Sequence, residues 1–272
     1  MDNRSIGIFD SGVGGLTVLL ELKKALPHEN FIYFGDTARV PYGGKSKDVV
    51  MQYSMEAAHF LKDKGIKILV IACNTATAFA LDYLRQELDI PVIGVIKAGA
   101  ASCVENLSGN RVGVIGTKGT VKSQAYNKAL LELNPNLIIH SKACPLFVPV
   151  VEEGMAKEDL TKGIIRYYLQ EFVDTSVESI ILGCTHYPVM EEVIKEVLGD
   201  RIALINPAYE TAQEVKKVVS EKGYAAERKE KGSVKYYCSD EAESFYEVGK
   251  RIVPIESCEI EEIDLMDIVL NE

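Results

Sequence analysis

Short apolar runs rich in β-branched residues alternate with amphipathic, helix-like stretches along almost the whole chain. The nine candidate strands are Ser5–Phe9, Phe31–Phe34, Ile68–Ala72, Val92–Val95, Arg111–Ile115, Leu137–His140, Ser179–Leu182, Ile202–Ile205 and Val234–Cys238. The candidate helices between and after them include Leu16–Leu26, Ala76–Leu88, Ala98–Leu107, Val121–Leu133, Lys157–Phe172, Met190–Leu198 and Ala212–Lys222. Strands that are apolar on both faces and are separated by helices are typical of parallel sheets covered on both sides. The alternation therefore predicts an α/β protein with parallel sheets flanked by helices.

Two pairs of motifs recur at nearly one period. The segment IGIFDSGVGG at 6–15 is echoed by VGVIGTKGT at 112–120, and VIACNT at 70–75 is echoed by IILGCTH at 180–186. Gly7 and Gly113 lie 106 residues apart, and Cys73 and Cys184 lie 111 residues apart. The agreement between the two offsets favours two similar, pseudo-symmetric domains. We assign residues 1–96 and 207–272 to the first domain and residues 97–206 to the second.

Composition and charge exclude several classes of protein. The 272 residues carry 30 Lys and Arg against 40 Asp and Glu, a net charge of −10, which argues against nucleic acid as the main partner. No apolar stretch reaches the roughly 18 residues of a membrane span, and the amino terminus lacks a signal-peptide pattern. We therefore expect a cytoplasmic protein with no membrane partner. No Lys or Arg follows Arg251, and the acidic segment beyond it is most simply a solvated surface.

The cysteines are interpreted as free thiols. They stand at positions 73, 103, 144, 184, 238 and 258. A chain of this length without a signal peptide is expected in a reducing compartment, where disulfides are rare. No C-x-x-C pair occurs in the sequence, so a structural zinc site has little support and we expect no metal.

Polar residues follow several of the predicted strands at the point where each strand ends. They form four groups: Asp10-Ser11, Cys73-Asn74-Thr75, Gly116 to Thr120, and Cys184-Thr185-His186. Because ligands of parallel α/β sheets bind beyond the carboxyl ends of the strands, these groups are the candidate site. Asn74 or Thr75 is predicted to cap the helix after Cys73, and Pro188 to be the first residue of the helix after Cys184.

A thiol at a helix amino terminus is favoured as a thiolate by the positive end of the helix dipole. A single cysteine at a strand end is more often a small packing residue. Two cysteines in echoed positions, each followed by polar residues, favour a functional pair, whereas the other four cysteines are predicted to be packing residues. Two thiols on opposite sides of one carbon suit a racemase, because one can remove a proton while the other returns one. Asp10 and His186 could orient them, although each alone could be only a turn or cap residue.

Five segments carry a resemblance to a known family: GIFDSGVGGLTVL at 7–19, YFGDTARVPYG at 33–43, ACNTATA at 72–78, GVIGTKGT at 113–120 and LGCTHYP at 182–188. Together they resemble glutamate racemase, the cofactor-independent member of the aspartate/glutamate racemase superfamily, from about residue 6 to 215. The resemblance implies an active site in the cleft between the two domains. It also implies direct interconversion of L- and D-glutamate by two bases, without a cofactor.

The resemblance also implies roles for individual residues. Cys73 would act on the D-enantiomer with the assistance of Asp10, and Cys184 on the L-enantiomer with the assistance of His186. Glu152 matches a carboxylate near the second thiol, although Glu153 beside it leaves the register open. The implied substrate contacts are Asp10, Ser11, Tyr42, Gly43, Asn74, Thr75, Thr117, Thr120, Thr185 and His186.

The family context implies a cytoplasmic isomerase that supplies D-glutamate for peptidoglycan, and hence for cell-wall biogenesis and cell shape. Related enzymes include several dimer arrangements and activator-dependent monomers, which leaves a homodimer open for this chain.

Three other functions have some support in the sequence. The glycine-rich turns at 12–15 and 116–120 could cradle the phosphates of a nucleotide, although neither satisfies a nucleotide-binding pattern. A non-catalytic amino-acid-binding protein would have no need of two thiols. A metal site that uses Cys184 and His186 lacks further ligands at the usual spacings.

Overall fold

A computed structural model describes residues 2–255 and 260–264 of the chain. Within these residues the strands are β1 (Ile6–Asp10), β2 (Phe31–Gly35), β3 (Ile68–Ile71), β4 (Val92–Gly94), β5 (Arg111–Gly116), β6 (Ile138–Ala143), β7 (Ser179–Gly183), β8 (Ala203–Ile205), β9 (Val234–Cys238) and β10 (Ile260–Glu262). The helices are α1 (Leu16–Ala25), α2 (Lys47–Asp63), α3 (Asn74–Glu87), α4 (Val95–Glu105), α5 (Lys118–Ser123), α6 (Ala125–Leu133), α7 (Phe147–Glu152), α8 (Asp159–Asp174), α9 (Glu191–Leu198), α10 (Pro207–Glu221) and α11 (Ala242–Ile252). Short 3₁₀ turns lie at Thr37–Arg39, Tyr42–Gly44 and Tyr187–Met190.

The strands form two separate parallel sheets with the same internal order. The first sheet runs β10-β9-β2-β1-β3-β4 and the second runs β6-β5-β7-β8. In the first, β1 pairs with β2 and β3; in the second, β5 pairs with β6 and β7 in the same way. The predicted α/β class with two similar parallel sheets is confirmed. The sequence echoes coincide with equivalent strands, because β1 matches β5 and β3 matches β7.

Each sheet is covered on both faces, as the apolar character of its strands requires. One face of the first sheet packs against α1 and α10, and the other against α2 and α3. The second sheet lies between α8 and α9 on one face and α4 and α6 on the other. The alternation is visible in β1, where Ile6 and Ile8 enter one core and Phe9 enters the other.

The chain passes between the two sheets at two adjacent places. It leaves the first sheet through α4 and returns through α10, and these two helices pack against each other. Gly99 makes the contact close, because a Cβ at this position would lie 2.9 Å from Cγ of Pro207. The predicted domain boundaries, at 96/97 and 206/207, lie at these crossings, and the division into domains stays a prediction.

The structure differs from the sequence expectations in several elements. The single predicted helix Val121–Leu133 is wrong: α5 and α6 are separated at Gln124, whose φ is +57°. Ser123 promotes this break, because its hydroxyl donates to the Thr120 carbonyl and accepts from the Ala125 amide in place of helical bonds. The helices α2, α7 and α11 and the strand β10 were absent from the expectation.

The acidic C-terminal segment is described only in part. Glu261, Glu262 and Asp264 are exposed, as a solvated surface requires, and the first two belong to the edge strand β10. Glu256, Glu259, Asp267 and Glu272, together with Cys258, lie outside the described residues. None of the helices in the described part of the chain is long and apolar enough to cross a membrane.

Candidate active site

The loops at the carboxyl ends of the two sheets contact each other. The Thr185 hydroxyl, after β7, donates to Asp10 Oδ1 at the end of β1 over 3.4 Å. The Thr17 hydroxyl, in the first turn of α1, lies 3.2 Å from the Thr185 carbonyl. Gly43 faces Thr117 so closely that a Cβ at 43 would overlap the threonine side chain. The predicted site residues of both sheets therefore meet at one place.

Cys73 lies two residues after the end of β3 and is itself the N-cap of α3. Its sulfur accepts a hydrogen bond from the Ala76 amide at 3.5 Å, so the expectation that Asn74 or Thr75 would be the cap is wrong. The thiol also lies 3.6 Å from the Ser11 hydroxyl and is 6% exposed. Burial, reinforced by the charge of Asp10, raises the pKa of Cys73 to about 12. Cys73 is therefore a neutral thiol at physiological pH.

Asp10 is a fully buried carboxylate beside this thiol. Its Oδ2 accepts from the Gly12 amide at 3.0 Å, and its Oδ1 accepts from Thr185. Burial raises the pKa of Asp10 above its usual range, although His186 and the hydrogen bonds oppose the shift. Asp10 thus touches the loops of both sheets.

Cys184 directly follows β7 and has a basic partner. Its sulfur lies 3.9 Å from Nδ1 of His186, and Nε2 of the same ring lies 2.9 Å from Oε1 of Glu152. Burial acts to lower the pKa of His186, but the hydrogen bonds to Cys184 and Glu152 outweigh it and raise the pKa to about 10. The imidazole is therefore protonated at neutral pH, with a sulfur on one side and a carboxylate on the other.

The structure distinguishes the two adjacent glutamates. Glu152 ends α7 with its carboxylate against His186, whereas Glu153 is exposed.

Pro188 is the second residue of the 3₁₀ turn Tyr187–Met190 rather than the first of a helix, and α9 begins at Glu191.

Three threonine hydroxyls from the two sheets form a triangle. Thr75 Oγ1 lies 2.8 Å from Thr117 Oγ1 and 3.1 Å from Thr120 Oγ1, and the last two lie 3.1 Å apart. Beside the triangle, the Tyr126 hydroxyl donates to Oδ1 of Asn74 at 2.7 Å. Hydroxyls and an amide are groups that can bind a carboxylate without a lysine or arginine.

The side chain of Tyr42 is held by other protein groups. It is buried, and the phenol donates to Asp36. Asp36 also accepts from Arg39 Nε at 2.7 Å and from the Ser239 hydroxyl at 2.8 Å. This buried cluster fixes the loop that presents Gly43 to Thr117.

The space next to the glycine-rich turn at 12–15 is filled by side chains from another loop of the protein. A Cβ at Gly14 would lie 2.5 Å from Nδ1 of His186, so only glycine allows the second loop to approach this closely. The space that a phosphate would need above Gly14 holds the side chains of Thr185 and His186. The nucleotide alternative loses its support at this turn.

The other three cysteines in the described part of the chain belong to the hydrophobic cores of the two sheets. Cys103, Cys144 and Cys238 are buried and free, and burial raises the pKa of Cys103 to about 12. Across residues 2–255 and 260–264, no cluster of three or more His, Cys, Asp or Glu side chains could hold a metal ion.

Sequence reasoning missed Thr17, Asp36 and Tyr126. Thr17 and Asp36 lie inside the quoted motifs but have partners far away in the chain. Tyr126 lies on the apolar side of a helical pattern, where a tyrosine predicts packing.

Comparisons with known proteins decide the family. A model of the Asp/Glu/Hydantoin racemase family matches residues 20–215. The glutamate racemase of Geobacter metallireducens is 48% identical over 250 residues, which cover 92% of this chain and 93% of that relative. The chain belongs to the glutamate racemases of this family. It is an enzyme of the isomerase class.

Solved structures of the family have the same fold. The crystal structure of a glutamate racemase isoform from Bacillus anthracis matches with a TM-score of 0.93 at 38% identity, over 97% of this chain and 99% of that one. The glutamate racemase of Francisella tularensis, solved in complex with D-glutamate, matches with a TM-score of 0.92 at 38% identity, over 98% of this chain and 100% of that one. The resemblance noted in the sequence motifs is confirmed.

Proposed function

We propose that this enzyme interconverts L- and D-glutamate without a cofactor, with Cys73 and Cys184 as acid and base on opposite faces of the α-carbon. The observation that carries the proposal is the equivalent placement of the two thiols. Each follows the equivalent strand of its sheet, β3 or β7, and each has its own polar partners: Asp10 and Ser11 for Cys73, and His186 and Glu152 for Cys184. The bound D-glutamate in the Francisella tularensis relative supports glutamate as the substrate.

The proposed reaction needs one thiol and one thiolate. The raised pKa of Cys73 keeps it protonated, whereas the protonated His186 beside Cys184 stabilises negative charge on that sulfur. From L-glutamate, the Cys184 thiolate takes the α-proton as the Cα–H bond breaks. The Cys73 thiol then gives its proton to the opposite face of the carbon, which forms D-glutamate and leaves a Cys73 thiolate.

The reverse reaction starts from that state. The Cys73 thiolate takes the α-proton of D-glutamate, and the Cys184 thiol returns a proton to the other face. Asp10 lies close enough to Cys73 for its charge to raise the pKa of that thiol, and His186 contacts the Cys184 sulfur, so both groups can exchange protons with the thiols between turnovers.

Carboxylate binding is assigned to the neutral donors of the site. The hydroxyl triangle of Thr75, Thr117 and Thr120 combines donors from both sheets, and Asn74 adds an amide. A glutamate held by this triangle would touch both halves of the protein, which exposes its α-carbon to both thiols. In the cell, we place this activity in the cytoplasm, where it supplies D-glutamate for peptidoglycan and so for the cell wall and cell shape.

The test follows the circular dichroism of each glutamate enantiomer with purified enzyme and no added cofactor. Wild type should abolish the signal from both enantiomers, and Cys73→Ala and Cys184→Ala should abolish racemisation. Cys103→Ala is the matched control, because it removes a buried thiol that lies outside the site, and it should racemise both enantiomers. Racemisation that persists in either single variant of the pair would refute the two-thiol mechanism.

A further inference from the structure

The side-chain amide of Asn74 has a fixed orientation. An amide presents an oxygen that accepts and an NH₂ group that donates, and its direction is set by its partners. Tyr126 is 1% exposed, so its hydroxyl proton needs an acceptor, and the Asn74 oxygen at 2.7 Å supplies it. Among the hydrogen bonds described for Asn74, none uses the NH₂ group, which is therefore the part of the amide left for a ligand.

The ring of Tyr126 packs against the end of β7, next to the other thiol. A Cβ built on Gly183, the residue before Cys184, would lie 3.0 Å from Cε2 of the tyrosine. On the other edge, a Cβ at Gly99 would lie 3.4 Å from Cε1. One side chain therefore hydrogen-bonds to the residue after Cys73 and packs against the residue before Cys184.

Tyr126 owes its position to the break between α5 and α6. The left-handed residue Gln124 ends α5, which carries Thr120, and Tyr126 follows in the first turn of α6. Thr117 and Thr120 of the hydroxyl triangle and the phenol of Tyr126 thus come from the same short stretch of the second sheet's connections. The two threonines contact Thr75, and the phenol contacts its neighbour Asn74.

We propose that Tyr126 is a positioning residue that holds the Asn74 amide with its NH₂ group toward the substrate and thereby favours a carboxylate at this point. The inference rests on the proposed racemase function. Without the phenol, the amide is free to rotate and present its oxygen, which repels a carboxylate. The loss affects binding of the substrate and of the transition state alike, since the group bound here is a carboxylate in both.

The test compares the kinetics of Tyr126→Phe with those of the wild type. The variant keeps the ring against Gly183 and removes only the hydroxyl. We expect KM to rise about tenfold and kcat to change by less than about twofold. This is the result of losing one hydrogen bond that is equally strong in the substrate complex and in the transition state. The equilibrium constant between the enantiomers is one, so kcat/KM must be equal for both. With kcat nearly unchanged, the rise in KM should therefore be the same for both enantiomers.

A matched control removes a phenol of the same kind. Tyr187 is fully buried in the same half of the protein, and its hydroxyl donates at 2.9 Å to the main-chain carbonyl of Cys144. Tyr187→Phe should lower the melting temperature about as much as Tyr126→Phe while KM stays unchanged, because it frees no group that faces the substrate.

Two further variants show whether Tyr126 acts through Asn74. In an Asn74→Ala background, Tyr126→Phe should have no additional effect on KM. Asn74→Asp replaces the donor by an oxygen of the same shape, and it should raise KM more than Tyr126→Phe does. An unchanged KM in either Tyr126→Phe or Asn74→Asp, or an undiminished effect of Tyr126→Phe in the Asn74→Ala background, would overturn this inference alone. A wild-type enzyme that does not racemise glutamate would refute the proposed function and this inference with it.

Discussion

Cys73 and Cys184 occupy equivalent positions in the two sheets but have different neighbours. If each serves one enantiomer, a variant with a single thiol should still remove and return a proton on one face of the substrate. In deuterium oxide, Cys73→Ala should place deuterium on the α-carbon of L-glutamate and not of D-glutamate, because Cys184 alone remains. Cys184→Ala should show the opposite preference. Proton NMR of the α-position measures both, and equal exchange of the two enantiomers in either variant would contradict the assignment of thiols to faces.

The protonated state of His186 has a consequence for stability. Its folded pKa of about 10 lies above the ordinary value of 6.5, so between these pH values the folded protein holds a proton that the unfolded chain releases. The contribution to stability is complete below about pH 6.5 and is lost as pH rises toward 10. The slope is at most about 1.4 kcal/mol per pH unit for one proton.

Urea denaturation from pH 6.5 to 8.5 measures this slope. The free energy of unfolding should fall with pH in the wild type and fall less in His186→Gln, in which the group is absent. The range ends below pH 9, the ordinary pKa of a thiol, which limits the contribution of buried thiols such as Cys73, whose raised pKa acts in the same direction. Parallel curves for the two proteins would show that His186 is not held in its charged form.

At the level of elements, a buried ion pair connects four segments at the amino-terminal edge of the first sheet. Lys67, just before β3, is fully buried and donates to Glu29 and to the carbonyls of Asp2 and Tyr224, each carbonyl at 2.7 Å. Glu29 also accepts from the Ala226 amide at 2.9 Å. The pair therefore joins the amino terminus and the segment before β9 to the sheet.

Removing one partner of this pair should be costly. Lys67→Met leaves the Glu29 carboxylate buried without its cation, which we expect to lower the free energy of unfolding by about 3–5 kcal/mol. Lys62→Met is the control, since Lys62 pairs with Asp89 at 3.1 Å but both side chains are largely exposed, and it should change stability by less than about 1 kcal/mol. Denaturant unfolding of both variants gives the two free energies of unfolding. Similar losses of stability would show that burial does not make the Lys67–Glu29 pair more costly to break.

The elements also show what could be predicted from the sequence. The nine expected strands match observed strands to within a few residues, because each is an apolar run between polar segments. The helix break at Gln124 was missed, since it depends on local bonds of Ser123 that the apolar periodicity does not reflect. The strand β10 was missed because its acidic sequence is polar and it lies at the sheet edge.

The same limit applies to the site. The repeated motifs predicted which residues follow β1, β3, β5 and β7, and the geometry of parallel sheets predicted that they would lie at one edge. Contacts between the halves could not be predicted, because Asn74 and Tyr126 are 52 residues apart and no pattern in the sequence joins them. The choice between Glu152 and Glu153 likewise depended on which of them the turn of α7 directs at His186.

At the level of the whole molecule, the two halves meet through the residues assigned to the substrate. The direct contacts between loops include the hydroxyls of Thr75 and Thr117 and the pair of Asp10 and Thr185. A ligand that binds these groups contacts both halves at once and should hold them together. We therefore expect glutamate to slow amide hydrogen exchange in the loops at residues 10–17, 73–76, 117–120 and 184–187, on both sheets together.

The same binding should raise thermal stability in a way that separates the remaining functions. At a concentration about 100 times Kd, a ligand adds about 2.7 kcal/mol to the free energy of unfolding, which is a measurable shift in melting temperature. D- and L-glutamate should both produce it. ADP and NAD should not, because Thr185 and His186 fill the space above Gly14.

Amide hydrogen exchange that glutamate slows in the loops of one sheet only would indicate that glutamate binds one half of the protein. The hydroxyl triangle could not then be the group that holds its carboxylate.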